Sequence, residues 1–201
     1  MAAPNSTPEL LEQMRGLLDG ELYESAAILG SLLLARTSDE AAERGAAQAL
    51  YADALFGKGE HKRARAHYRQ AISRRRVAQG DTREGGYGVA AAAEDEEEAR
   101  LQLREARCCA ALDEVGAAIT ALEAIPQQWR TPRALVMLGR LYKNTGLKRN
   151  AVHALEAALA AEPLCLEAIE LLAQLGAAPA AAMAMDVDGG AAAAGGAARP
   201  R

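Results

Sequence analysis

The chain has little of what builds β-sheets, disulfide frameworks or platforms for nucleic-acid bases. Its 201 residues include 6 Val, 5 Ile and 7 aromatic side chains, against 49 Ala and 26 Leu. Val, Ile and aromatic residues favour strands, whereas Ala and Leu favour helices. The composition therefore argues against sandwiches, barrels and doubly wound sheets, and against the stacking of single-stranded nucleic acid on aromatic rings.

Cysteine, net charge and long apolar runs are also scarce. Three cysteines without useful spacing give no disulfide framework and indicate a reducing compartment. A net charge of −4 creates no field that attracts a phosphate backbone, so we expect no nucleic-acid partner. No stretch approaches the ~20 apolar residues of a membrane span, and residues 1–8 lack a signal-peptide pattern. We expect an intracellular, soluble protein with no membrane partner.

Proline, threonine and glycine punctuate a series of paired helical segments. Thr7 and Pro8 predict an N-cap and the start of a helix over 8–19, which Gly20 ends. Because no strand pattern competes, the predicted fold class is all-α. The further predicted helices cover 22–36, 40–57, 60–77, 96–112, 115–125, 132–145, 148–161 and 164–176.

Three segments lack a helical pattern. Residues 1–7 form an N-terminal tail, and residues 177–201 form a tail of mostly Ala and Gly that we expect to be disordered. Residues 78–95 combine glycines, an alanine run and an acidic run, which predicts a disordered insertion whose acids start the next helix. One structured domain over 8–176 remains.

A 34-residue pattern begins at Pro132. Small residues stand at positions 8, 20 and 27, large residues stand at positions 4, 7, 11 and 24, and a proline stands at position 32. The small residues allow two antiparallel helices to cross closely, and the large ones fill the space around the crossing. This pattern resembles the tetratricopeptide repeat, a helix–turn–helix unit. The pattern residues are Leu135, Leu138, Gly139, Tyr142, Ala151, Leu155, Ala158 and Pro163.

The same frame fits two upstream segments, which start at Gly45 and Ala99. These starts are 54 positions apart, one repeat plus 20 residues, and the surplus coincides with the insertion at 78–95. The packing residues that the two frames predict are Ala52, Leu55, Ala64, Tyr68, Ala71, Ala106, Ala118 and Leu122.

A weaker frame starts at Ser6 and puts Ser25, Leu29 and Leu32 at positions 20, 24 and 27. After Pro163, an apolar run resembles the first helix of a fifth unit and could cap the stack. The sequence therefore predicts a tetratricopeptide-repeat superhelix of about four repeats plus a capping helix.

The sequence contains no catalytic or metal-binding pattern. His61, His67 and His153 have no cysteine or acid at ligand spacing, and the side chains of Cys108 and Cys109 diverge by roughly 100° on one helix. Walker A, G-x-S-x-G and H-E-x-x-H motifs are missing. We therefore predict that the protein is not an enzyme and has no cofactor and no metal.

Short stretches along the chain resemble, in order, the family of anaphase-promoting complex (cyclosome) subunit seven. This family has a long polar insertion between its second and third helix pairs, where the chain has residues 78–95. The likeness covers about residues 9–176, and the family's members are more than twice as long. The matching stretches are 22–26, 32–34, 51–56, 60–64, 117–119, 125–126, 130–132, 141–143 and 163–168.

The resemblance implies a non-catalytic scaffold subunit of a ubiquitin-protein ligase that acts in cell-cycle control and drives exit from mitosis. It implies a homodimer that stacks on other tetratricopeptide subunits of the complex, and a location in the nucleus and cytoplasm. The alternative is a general peptide-binding adaptor or co-chaperone. The positions that clamp a chaperone carboxylate in such adaptors hold unsuitable residues apart from Arg133, and Asp53 would repel the carboxylate. They are Ala49, Asp53, Arg104, Arg133 and Met137.

The segment 26–35 is apolar at eight of its ten positions. A helix that is apolar nearly all round needs cover on more than one side. The neighbouring helices cover two sides and leave Ile28, Leu33 and Leu34 at the open end of the array. A self-sufficient compact cap is one solution, and a second copy of the chain across a two-fold axis is the other. We predict a homodimer interface at these three residues.

Overall fold

A computed structural model describes residues 6–37, 42–82 and 89–177. These described ranges contain helices and turns but no strand, so the predicted all-α fold class is confirmed. A 3₁₀ turn, Gln127–Trp129, lies between the sixth and seventh helices. The helices are α1 (Thr7–Asp19), α2 (Tyr23–Arg36), α3 (Ala42–Gly57), α4 (His61–Thr82), α5 (Val89–Ala111), α6 (Val115–Glu123), α7 (Pro132–Asn144), α8 (Lys148–Ala161) and α9 (Leu166–Gln174).

The helices fall into two compact units, one with α1–α6 and one with α7–α9. In the first unit α1 packs on α2, α3 on α4 and α5 on α6, and each pair packs on the next. In the second unit α7 packs on α8, and α9 packs on both. Each helix therefore contacts mainly its sequence neighbours, as in a repeat array.

The first helix begins one residue earlier than the sequence predicted. Ser6, rather than Thr7, is the N-cap of α1, and its backbone N–H donates to Glu9 Oε2 at 2.9 Å. The spacing of Ser6 and Glu9 is that of a capping box, which outweighs the Thr-Pro signal. At α7 the Thr-Pro signal does mark the start, because Thr131 Oγ1 accepts a hydrogen bond from Ala134 N–H at 3.3 Å.

The first helix of every pair ends in the same left-handed turn. Its central residue has a positive φ: 56° at Glu21, 80° at Gly59, 60° at Asp113 and 79° at Gly146. In each turn the next residue's N–H donates to a carbonyl five residues back, which closes the helix end as a Schellman motif. These bonds are Leu22 to Leu17 at 2.8 Å, and Glu60 to Leu55, Glu114 to Cys109 and Leu147 to Tyr142 at 2.9 Å.

This shared turn corrects the frame of the first repeat. Gly59, Asp113 and Gly146 are all at position 15, and Glu21 occupies that position only when the repeat starts at Thr7 rather than Ser6. The residues at positions 20, 24 and 27 then change from Ser25, Leu29 and Leu32 to Ala26, Gly30 and Leu33, and all three of the latter are buried. The sequence misled because the glycine, Gly20, lies one residue before the turn and has a negative φ.

Helices enter the predicted disordered insertion, 78–95, from both sides. Helix α4 continues to Thr82 and α5 begins at Val89, so within this segment only residues 83–88 lie outside the described ranges. The alanine run has high helix propensity, which explains why α5 begins before the predicted residue 96. The predicted tails, 1–7 and 177–201, lie outside the described residues apart from residues 6, 7 and 177.

We expect the same substitution to have opposite effects at two glycines in and next to α3. Gly59→Ala should lower the free energy of unfolding by about 1 kcal/mol, because an L side chain is strained at its φ of 80°. Gly45→Ala should raise it by about 0.5–1 kcal/mol, because Gly45 is inside α3 and its Cβ would meet no atom within 4 Å. Urea denaturation measures the change in the free energy of unfolding for both variants. Changes of the same sign would contradict the left-handed turn assigned at Gly59.

Candidate protein-interaction surfaces

The pair α3–α4 is packed around two alanines at its crossing. Ala52 on α3 and Ala64 on α4 have no exposed surface. Around them Leu55, Tyr68 and Ala71 are each 1% exposed. These five predicted packing residues therefore lie together in the core of the first unit, where α1 and α2 also contribute side chains.

The next two pairs repeat the arrangement. A Cβ added to Gly139 on α7 would lie 2.6 Å from Leu155 Cγ on α8, so a larger residue at this crossing would displace Leu155. Pro163 differs from the other predicted packing residues because it is exposed: α8 ends at Ala161, and Pro163 lies in the turn that follows. The buried members of the predicted set are Ala106, Ala118, Leu122, Leu135, Leu138, Gly139, Tyr142, Ala151, Leu155 and Ala158.

A partly buried polar cluster joins α3, α4 and α5. The Tyr68 hydroxyl donates to Asp53 Oδ1 at 2.5 Å, and an Arg104 amino group is 3.0 Å from Asp53 Oδ2. Burial raises the pKa of Asp53, and Arg104 and the Tyr68 hydroxyl offset part of that rise by stabilising the carboxylate. Next to the cluster, Arg107 Cζ lies 4.7 Å from the centroid of the Phe56 ring.

This cluster bears on the co-chaperone alternative. Asp53 and Arg104 occupy two of the positions that clamp a carboxylate in adaptors of that class, and here they bind each other. An incoming carboxylate would have to displace Asp53 from Arg104 and approach a second negative charge. The geometry therefore disfavours chaperone-tail recognition at these positions.

Ion pairs connect a basic helix to an acidic one. Arginines of α4 face glutamates of α5 and of the turn after it, and complementary charges of this kind favour one register of two packed surfaces. Arg65 pairs with Glu114, Arg69 Nε is 2.6 Å from Glu105 Oε1, and Arg76 Nη2 is 2.8 Å from Glu98 Oε1. These pairs were not predicted from the sequence.

The thiols and imidazoles are not gathered into a chemical site. Cys108 and Cys109 are buried and unbonded, and burial raises the pKa of Cys108 to about 12, so it is not a reactive thiolate. No three His, Cys, Asp or Glu side chains come together as metal ligands within the described residues. None of the helices in the described ranges has the length and apolarity needed to cross a bilayer.

The outer face of α2 exposes large apolar side chains. Ile28 is 62% and Leu32 56% exposed, and Leu22 at the start of the helix is 55% exposed. Of the three predicted interface residues, Ile28 lies on this face and Leu34 is partly buried against the core. Leu33 is 1% exposed and belongs to the core, which corrects the prediction. The cause is the same one-residue frame error, since Leu32 rather than Leu33 points outwards.

The chain is similar to a known repeat family in sequence and to two solved repeat proteins in structure. The tetratricopeptide repeat family matches residues 46–77 and 132–163. The nearly identical TPR-like repeats of a Podosopora anserina kinesin light chain match 96% of this chain and 100% of theirs, with a TM-score of 0.57 and 18% identity. A second structure, of a single-substitution variant of the same repeats, has a TM-score of 0.56, covers 90% of this chain and 96% of its own, and is 19% identical. The helix pairs of this chain have the tetratricopeptide-repeat fold, as the 34-residue pattern predicted.

Within this class, the sequence is similar to that of anaphase-promoting complex subunit 7. The Arabidopsis thaliana protein is 30% identical over 182 residues, which are 82% of this chain and 32% of that relative. The human and mouse proteins are each 27% identical over 170 residues, 80% of this chain and 30% of theirs. The likeness inferred from short stretches is thus confirmed, and the chain spans about a third of the length of these relatives.

Proposed function

We propose that the chain is a non-catalytic scaffold subunit of an anaphase-promoting complex, a ubiquitin-protein ligase, and acts by protein–protein contacts in cell-cycle control. The observation that carries this proposal is that three relatives named anaphase-promoting complex subunit 7 match about four-fifths of the chain. The proposal includes contacts with other tetratricopeptide subunits and a location in the nucleus and cytoplasm.

The surface chemistry supports a role in assembly. Asp53 and Arg104 pair with each other at two of the positions that a chaperone clamp would use to hold a carboxylate. Ile28 and Leu32 on the outer face of α2 are large, apolar and more than half exposed, and an exposed apolar patch favours a protein contact.

The same proposal includes a homodimer formed through α2. Ile28 and Leu32 are four residues apart, so they lie on one face of the helix. A two-fold axis would place this face against the same face of a second copy. Both residues would then be buried, and no different complementary surface would be needed.

Co-purification tests the scaffold role. We expect a tagged chain expressed in Arabidopsis or human cells to enrich subunits of the anaphase-promoting complex above a tag-only control, as mass spectrometry would quantify. Enrichment of heat-shock chaperones without ligase subunits would contradict the scaffold role and favour the adaptor. Failure to enrich either ligase subunits or chaperones would also contradict the scaffold role.

Sedimentation velocity tests the homodimer. At tens of micromolar we expect a dimer, and Ile28→Glu with Leu32→Glu should give a monomer, because burying two carboxylates in an apolar interface is costly. The matched control is Leu164→Glu with Leu166→Glu, which changes two leucines that are 82% and 74% exposed in the other unit and should leave the dimer intact. A monomeric unmodified chain, or a dimer that survives the α2 substitutions, would contradict the interface.

A further inference from the structure

A cleft of about 320 Å³ lies between α4, α5 and α6, beside the ion pairs that connect α4 to α5. We call it the α4–α6 cleft. Two arginines and a serine of α4 line one side, and Gln102 and Glu105 of α5 line the adjoining side. Thr120, Ala121 and Ala124, from α6 and its C-terminal end, complete it. Its volume is at the lower end of the range for ligand pockets in proteins.

Carboxylates orient the two arginines, and each arginine has N–H groups that its carboxylate does not use. Arg69 donates from Nε to Glu105 Oε1 at 2.6 Å, and its two terminal amino groups have no partner among the described residues. Arg76 uses Nε and Nη2 on Glu98 Oε1, at 2.9 and 2.8 Å, and its Nη1 has no partner within the same described ranges. A guanidinium held by a neighbouring carboxylate loses less conformational freedom when it binds an anion.

Ser73 lies between the two arginines on the same face of α4. It follows Arg69 by four residues and precedes Arg76 by three, and these are the spacings at which helical side chains are neighbours. The residue is exposed, and its hydroxyl has no hydrogen-bond partner in the part of the chain that the structure describes. Three side chains that carry hydrogen-bond donors thus line one side of the cleft.

Gln102 adds an unsatisfied buried acceptor. The residue is 4% exposed, and its Nε2 donates to Glu98 Oε1 at 3.1 Å. Its Oε1 is buried and has no partner among the described residues. A buried amide oxygen without a donor is costly, so the occupant of the cleft should supply an N–H or O–H as well as an anion.

We propose that the α4–α6 cleft binds a phosphorylated serine or threonine of a partner protein. The phosphate of such a residue has three acceptor oxygens, which match the remaining donors of Arg69, Ser73 and Arg76, and it would share the two arginines with Glu105 and Glu98. The backbone N–H groups beside it can donate to Gln102 Oε1. Ile72, Ala121 and Ala124 give an apolar wall for the flanking residues, which a free phosphate ion would not use. This site is independent of the scaffold role.

Isothermal titration calorimetry on the whole chain tests the site with three probes. They are a blocked pentapeptide with phosphoserine between alanines, the same peptide without phosphate, and inorganic phosphate. We expect the phosphopeptide to bind at millimolar concentration or below, and both other probes to bind at least about tenfold more weakly, because each lacks one half of the contacts. Equal affinity for inorganic phosphate, or no binding of the phosphopeptide, would overturn the proposal.

Variants locate the binding within the chain. Arg69→Gln with Arg76→Gln should abolish phosphopeptide binding. Arg100→Gln should leave it unchanged, since Arg100 has the same 58% side-chain exposure as Arg76 and pairs with Glu96 instead. Because the double variant also breaks two pairs between helices, circular dichroism must show that it is folded. Ser73→Glu keeps those pairs and should also abolish binding, because it places a carboxylate between the arginines. Undiminished binding in Ser73→Glu would overturn the proposal.

Discussion

The close crossing of two antiparallel helices at a small side chain is the constraint on which the rest of this structure depends. Ala52 and Ala64 have no exposed surface, and Gly139 leaves no room for a Cβ beside Leu155. A larger residue at such a point would separate the helices and remove the contacts of the side chains around it. The repeat spacing, the burial of Tyr68 and the direction in which each outer face points all follow from these crossings.

The turn that joins the two helices of a pair determines which residues of the second helix face the core. Where glycine occupies the left-handed position, as at Gly59 and Gly146, the sequence alone located the repeat correctly. Where Glu21 occupies it, the nearby Gly20 misled the assignment by one residue. One residue rotates a helix face by roughly 100°, which is why Leu33 was assigned to the surface although it lies in the core.

The ion pairs between helices were harder to predict from the sequence than the buried positions of the repeats. The positions of apolar and small residues repeat at a fixed spacing, so the buried sets of three repeats could be predicted from the sequence. The pairs that α4 makes with α5 and the turn after it join residues that are 22, 36 and 49 positions apart. Their register depends on the length of the inserted segment and of the helices that enter it, and no short-range pattern encodes that register. The α4–α6 cleft, which needs those pairs to orient its arginines, was therefore invisible in the sequence.

The most direct test of the repeat crossing compares one substitution at two sites on α4. Ala64 has no exposed surface, and Ala66, two residues later, is exposed. Ala64→Leu should lower the free energy of unfolding by about 1–3 kcal/mol, because the larger side chain overpacks the crossing. Ala66→Leu should change it by less than about 0.5 kcal/mol, since helix propensity is similar and nothing is overpacked. Urea denaturation gives both values. Equal stabilities for the two variants would contradict the crossing and the repeat frame built on it.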